Sequence, residues 1–261
     1  MENLSWMQIV LIGIIFIWSG FVRSGLGFGG AVLSLPFLLL IVNDPLIFLP
    51  LIAVQLLLSS GWIIWKSHVR HRDASQGASV ESYIDWGYLK KGLKIMIIPK
   101  MIGVVGLLTL SPKLMSAIIL VIVSAYSIGY IINRPIQHKS KWIDVGMLSL
   151  GGYISGTSLT SAPLVIPVFA QYVPKHKLRD TLFVLWFILT AIKLVSFIIA
   201  GVDLQLEHQL WLLPCATVGH ILGERLHQRI VAAETPTFFR WLGFSLLVVS
   251  VVGLWRTLLG P

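Results

Sequence analysis

Eight long apolar runs, separated by short polar stretches, make up most of the chain. They lie at about 7–42, 45–65, 93–110, 114–132, 142–173, 180–200, 209–226 and 238–258. Six have about the 17–25 residues that cross hydrocarbon as a helix. The other two, 7–42 and 142–173, exceed 30 residues. As straight helices they would reach about 48–54 Å, against a hydrocarbon core of about 30 Å. Each is interrupted near its middle, by "GFVRSGLGFGGAVLSLP" (Gly20–Pro36) and by "GGYISGTSLTSAPLVIP" (Gly151–Pro167). Such a run is either one tilted, broken span or a re-entrant hairpin, two half-helices entering and leaving on one side with the break at the tip.

Lysine and arginine placement chooses between these. If all eight runs cross, the polar stretches on the two sides hold 10 and 7 basic residues. If both long runs are hairpins, the stretches at 66–94, 133–141, 174–179 and 225–240 share a side, and the split becomes 15 to 2. The positive-inside rule expects the second. The first repeat is then 1–135, with hairpin 7–42, spans 45–65, 93–110 and 114–132, and a cytoplasmic loop at 66–92. The second is 136–261, with hairpin 142–173 and spans 180–200, 209–226 and 238–258. Both termini are expected outside.

That topology makes the halves upside-down copies, and the residues support a repeat. Setting Pro36 against Pro167 matches Gly20/Gly151, Ser24/Ser155, Gly25/Gly156, Ala31/Ala162 and Leu33/Leu164; later, "PKMIGVVG" (Pro99–Gly106) resembles "PCATVGHILG" (Pro214–Gly223). The expected fold class is an all-α polytopic membrane protein with two inverted-topology repeats, each a broken re-entrant helix plus three transmembrane helices. Inverted repeats with broken helices at the midplane are a recurring transporter plan.

Composition narrows the partners. At 56% hydrophobic and 12% charged, the expected surroundings are a lipid bilayer. The net charge of +9 then reports the cytoplasmic loops and not a nucleic-acid partner. The first residues, MENLSW, lack a basic n-region and a cleavage site, so they read as the start of a membrane element and not as a signal peptide. The single Cys215 excludes an internal disulfide and CxxC metal sites. No metal and no cofactor is expected.

Broken backbone at membrane depth is tolerated where it is buried in protein or lines a watery cavity. There, a helix start exposes unpaired N–H groups and the positive end of its dipole, and glycine lets a ligand come close. Gly27, Gly29 and Gly30 begin one such helix, and Thr160 and Ser161 its mate. Ser24, Ser155, Thr157 and Ser158 add hydroxyls, and Arg23 adds fixed charge. The combination predicts a small-anion site; a glycine-rich packing seam with no ligand is the alternative.

At these motifs the chain resembles the TauE/SafE sulfite exporter family. "GLGFGGAVLSLP" is similar to its glycine-rich signature. "YIDWGYLKKGL" (Tyr83–Leu93), "LRDTLFVLWFILTAIKLV" with Lys193, and "GHILGERLHQRI" are similar to later segments. The resemblance covers essentially the whole chain. It implies transport of a small organosulfur anion, such as sulfite or a sulfonate, across a bacterial inner membrane. The second motif departs from the pattern: "GTSLTSAP" stands where the family has glycines, which bears on the substrate more than on the fold.

Three cations, Arg23, Lys100 and Lys193, fall within apolar runs, where each costs about 2.5–3.5 kcal/mol at a helix centre. Arg23 and Lys193 are assigned to the site. Lys100, about 10 Å from the cytoplasmic end, is expected to snorkel. Gln55 and Trp186, on the spans after the hairpins, are added as substrate contacts. His220 lies one turn from Glu224 and is expected to bond locally, and "KSHVRHR" (Lys66–Arg72) is expected against anionic headgroups.

The leading function is a secondary transporter of a small organosulfur anion, with room for a proton or another ion as coupling partner and for a homo-oligomer. An anion channel on the same scaffold and a transporter of a small carboxylate are the alternatives. A serine protease built from Ser155–Ser158 and His220 is disfavoured, because a duplication gives a protease no advantage.

Overall fold

The computed structural model describes residues 4–26, 30–74, 82–132, 140–232 and 236–259. Among these it contains ten helices and no strand: α1 (Trp6–Leu26), α2 (Gly30–Ile41), α3 (Pro45–Ala74), α4 (Trp86–Thr109), α5 (Pro112–Ile132), α6 (Lys141–Ser158), α7 (Ala162–Tyr172), α8 (Lys175–Ile199), α9 (Leu206–Ala232) and α10 (Pro236–Leu259). Six of them are long and apolar enough to cross a membrane. The architecture is that of an all-α polytopic membrane protein. Several helix ends differ from the sequence reading: α3 continues through the basic "KSHVRHR" stretch to Ala74, α4 begins at Trp86, α8 begins at Lys175 and α9 runs on to Ala232. Asp85 caps α4 by accepting from Tyr88 N–H at 2.9 Å, a turn signal that hydropathy does not weigh.

Both long apolar runs are broken where their small residues cluster. α6 ends at Ser158, and Leu159 takes a left-handed conformation with φ 59°, which ends a helix in the manner of a C-terminal cap. α7 then starts with Pro163 in its first turn, where the missing N–H is harmless. Both runs fold back on themselves. Tyr172, the last residue of α7, donates to Asp144 in the first turn of α6 at 2.6 Å, so the two ends of 141–172 lie together.

For the first run the same conclusion comes from tracing helix ends. α1 and α9 run in one direction, since Gly13 faces Trp211 and Gly223 faces Phe21. The far part of α9 meets the far part of α3 through the Lys66–Glu224 ion pair. The start of α3, which directly follows α2, therefore lies at the end of the molecule where α1 begins. Arg256, near the end of α10, donates to Leu40 O in the last turn of α2 at 2.8 Å, which holds that end together.

The hairpin arms are unequal, where the sequence reading expects half-helices. The first arms have 21 and 18 residues, about 31 and 27 Å. The returning arms have 12 and 11, about 18 and 16 Å. α2 starts alongside α1, with Gly30 against Ser19 and Arg23.

Two glycine seams bind the bundle. Along α1–α9, a Cβ added at Gly20, Gly219 or Gly223 would fall 2.1, 1.9 or 2.3 Å from the carbonyl oxygens of Ala216, Ile17 and Phe21. Along α4–α6, a Cβ at Gly103, Gly152 or Gly156 would fall 2.3, 2.4 or 2.2 Å from those of Tyr153, Met96 and Lys100. Only hydrogen fits between these backbones. Matching α1–α5 to α6–α10 in order sends the α1–α9 seam onto α6–α4, and leaves the α3–α8 and α5–α10 packings mapped onto themselves.

Candidate functional site

Between the starts of the two returning arms lies a cavity. It is lined by Arg23 from α1, Gly30, Ala31 and Val32 from α2, and Leu56 and Ser60 from α3. Ser155, Leu159, Ser161 and Ala162 come from the second hairpin, and Phe183, Trp186, Leu189 and Thr190 from α8. The first turns of α2 and α7 both face it, so two positive dipole ends converge on one space. Its volume is about 40 Å³, on a measure where one water needs roughly 10–15 Å³, so it has room only for something small. The lining contains one cation, four hydroxyls and no carboxylate.

The three intramembrane cations meet different surroundings. Lys193, fully buried, donates to Gly156 O at 2.7 Å and Thr157 O at 3.1 Å. Lys100, also fully buried, donates to Ser155 O at 3.3 Å and Ser155 Oγ at 3.0 Å. Both lysines thus sit on the last turn of α6, where carbonyls lack helical partners and the dipole is negative. Two charge-assisted bonds of about 1.5–3 kcal/mol each offset an insertion cost of about 2.5–3.5 kcal/mol. The snorkelling expected of Lys100 is corrected here: α4 is welded to α6 at Gly103, and its lysine turns inward to the broken helix.

Arg23 is not satisfied in this way. It is 4% exposed, and its Nη1 donates to Ser59 Oγ at 2.8 Å. Its Nε and Nη2 are buried and have no partner. A guanidinium can only donate, and two nitrogens of this cavity-lining arginine have no acceptor within hydrogen-bond distance.

Of the residues singled out from the sequence, Arg23, Gly30, Ser155, Ser161 and Trp186 line the cavity. Gly27 and Gly29 lie outside the described residues. Ser24 lies behind the wall, donating to Gly20 O at 3.0 Å and in short contact with His220 Nδ1. That makes Ser24, and not Glu224, the hydrogen-bond partner of His220; Glu224 pairs with Lys66. Thr157 and Ser158 donate back to Ile154 O, and Thr160 contacts Ser158 Oγ, so all three serve the break itself. Gln55 is buried beside the lining residue Leu56, with Oε1 unpartnered. Lys193 caps α6 outside the lining.

Ser59, Ser60, Phe183 and Thr190 were not singled out. The adjacent serines in "QLLLSSGW" (Gln55–Trp62) were the available sign, a polar pair in an apolar run.

A family model described as "Sulfite exporter TauE/SafE" matches residues 11–254 of the chain. Comparison with curated proteins and with solved structures finds no match.

Proposed function

Since the chain belongs to the TauE/SafE family of sulfite exporters, whose members are membrane transporters, we propose that it is a secondary transporter of a small organosulfur anion, sulfite or a sulfonate, held between the two hairpin breaks. The observation that carries this reading is Arg23: a buried cation with two unpartnered nitrogens, lining a cavity toward which two helix starts point. A buried, uncompensated charge is costly, and a bound anion removes that cost. Ser155, Ser161, Ser60 and Thr190 supply hydroxyls, and Phe183, Leu189 and Trp186 an apolar wall suited to a sulfonate's organic part. The end of the bundle carrying Lys66, Lys91, Lys141 and Lys175 faces the cytoplasm on the positive-inside rule, which puts both termini outside and the protein in a bacterial inner membrane.

In this scheme Arg23 neutralises the anion at mid-membrane, and alternating access exposes the cavity to one side and then the other. The test is anion flux into proteoliposomes holding Arg23→Ala. Flux is expected to vanish, while the variant inserts and unfolds at a temperature no lower than wild type, because the substitution removes an unpaired buried charge. Wild-type flux in Arg23→Ala would end the proposal.

A further inference from the structure

Arg23 lines the cavity and keeps one edge of its guanidinium without a partner. Nη1 is taken by Ser59 Oγ, and Ser59 in turn donates to Leu56 O at 3.2 Å. The serine's proton is thereby committed to α3, leaving its oxygen free to accept. Nε and Nη2, the two nitrogens of the lateral edge, stay unpartnered. Two parallel N–H vectors on one rigid plane match two oxygens carried by a single atom.

The surroundings favour that use of the edge. Gly30 backs it: a Cβ there would lie 3.2 Å from Arg23 Nε and 3.2 Å from Ser19 Oγ. Ser19 Oγ, one turn before Arg23, is itself buried and unpartnered. On the other hairpin, Lys100 donates to Ser155 Oγ. An ammonium has no acceptor to offer, so the hydroxyl of Ser155 must point its own proton elsewhere, and Ser155 lines the cavity.

We propose that Ser59 is a positioning residue which presents the lateral edge of Arg23 to the ligand. The site thereby selects anions with two or more oxygens on one atom over spherical or linear anions of equal charge. This assignment rests on the anion-transport reading above. A chloride, or the single terminal atom of a thiocyanate, draws both N–H groups onto one acceptor with bent bonds, whereas a sulfonate meets them with two parallel ones.

The experiment is isothermal titration of the full-length protein in nanodiscs with methanesulfonate, sulfite, chloride and thiocyanate. Wild type is expected to bind the two oxyanions about tenfold or more tightly than chloride or thiocyanate, the worth of one added charge-assisted hydrogen bond. In Ser59→Ala the oxyanion affinity is expected to fall and the chloride affinity to hold, so that the preference collapses; Ser59→Thr, which keeps the hydroxyl, restores it. Arg23→Lys keeps the charge without the fork and is expected to lose the preference too, which decides the question should Ser59→Ala not fold. Equal losses for every anion in Ser59→Ala, or wild-type selectivity in Arg23→Lys, would overturn the assignment. If wild type binds anions without preference, both the selectivity and the role of Ser59 fall while the transport reading stands; if it binds none, the transport reading falls with them.

Discussion

At Gly30 there is no room for a methyl group. A Cβ would sit 2.9 Å from Ser19 O and 3.2 Å from Arg23 Nε, so something must shift. The carbonyl belongs to a helix, and the guanidinium is held only by Ser59. Gly30→Ala is therefore expected to turn the arginine edge and weaken methanesulfonate binding by about tenfold. The unfolding temperature should fall as well, because moving the arginine does not relieve the approach to the Ser19 carbonyl, which belongs to the α1 backbone; titration and thermal unfolding of the same sample check both halves. That Arg23 and Gly30 line the cavity was legible in the sequence, because a fixed charge beside backbone breakers has few other uses. Ser59 was not legible. Its partner lies 36 residues away, and only the completed fold brings the two within reach.

Among the elements, α6 depends most on others, because two lysines from two different helices end it. Lys193→Met removes both bonds to the Gly156 and Thr157 carbonyls. It is expected to cost about 2 kcal/mol or more, read as a lowered unfolding temperature in detergent. Arg23→Ala is expected to show no such loss, and that contrast separates a cation bound by the protein from one left for a ligand. Sequence gives all three cations the same appearance, a lone charge in an apolar run. Which carbonyls a lysine reaches depends on helix register across the α4–α6 and α6–α8 contacts, and hydropathy carries none of that. The hairpins themselves were legible from run length, breakers and charge balance. Their unequal arms were not, because α1 and α6 run just past the midpoints of their apolar runs, to Leu26 and Ser158, and α2 and α7 begin only at Gly30 and Ala162.

For the whole molecule, the seams matter more than the order of the chain. The α1–α9 seam joins the first hairpin to the second half, and the α4–α6 seam joins the second hairpin to the first half. Fragments 1–135 and 136–261, each made alone, would leave one seam face of carbonyls and glycines against lipid. Neither is expected to give a folded species, whereas coexpression of the two should restore a complex that copurifies; an isolated fragment that unfolds cooperatively would count against this. The Lys66–Glu224 pair, 44% and 50% exposed, adds little to that assembly, under about 1 kcal/mol. The seams also bear on mechanics. A contact of Cα hydrogen on carbonyl oxygen has no rotamers to exchange, so each seam should travel as one solid piece. The α3–α8 boundary is different: Phe187 lies over Gly61, and Phe183 and Trp186 meet edge to face beside the cavity. Rings, unlike a backbone contact, have rotamers to exchange. The hinge of this protein is therefore expected along α3 and α8, with each hairpin carried by the opposite half of the polypeptide and not by its own.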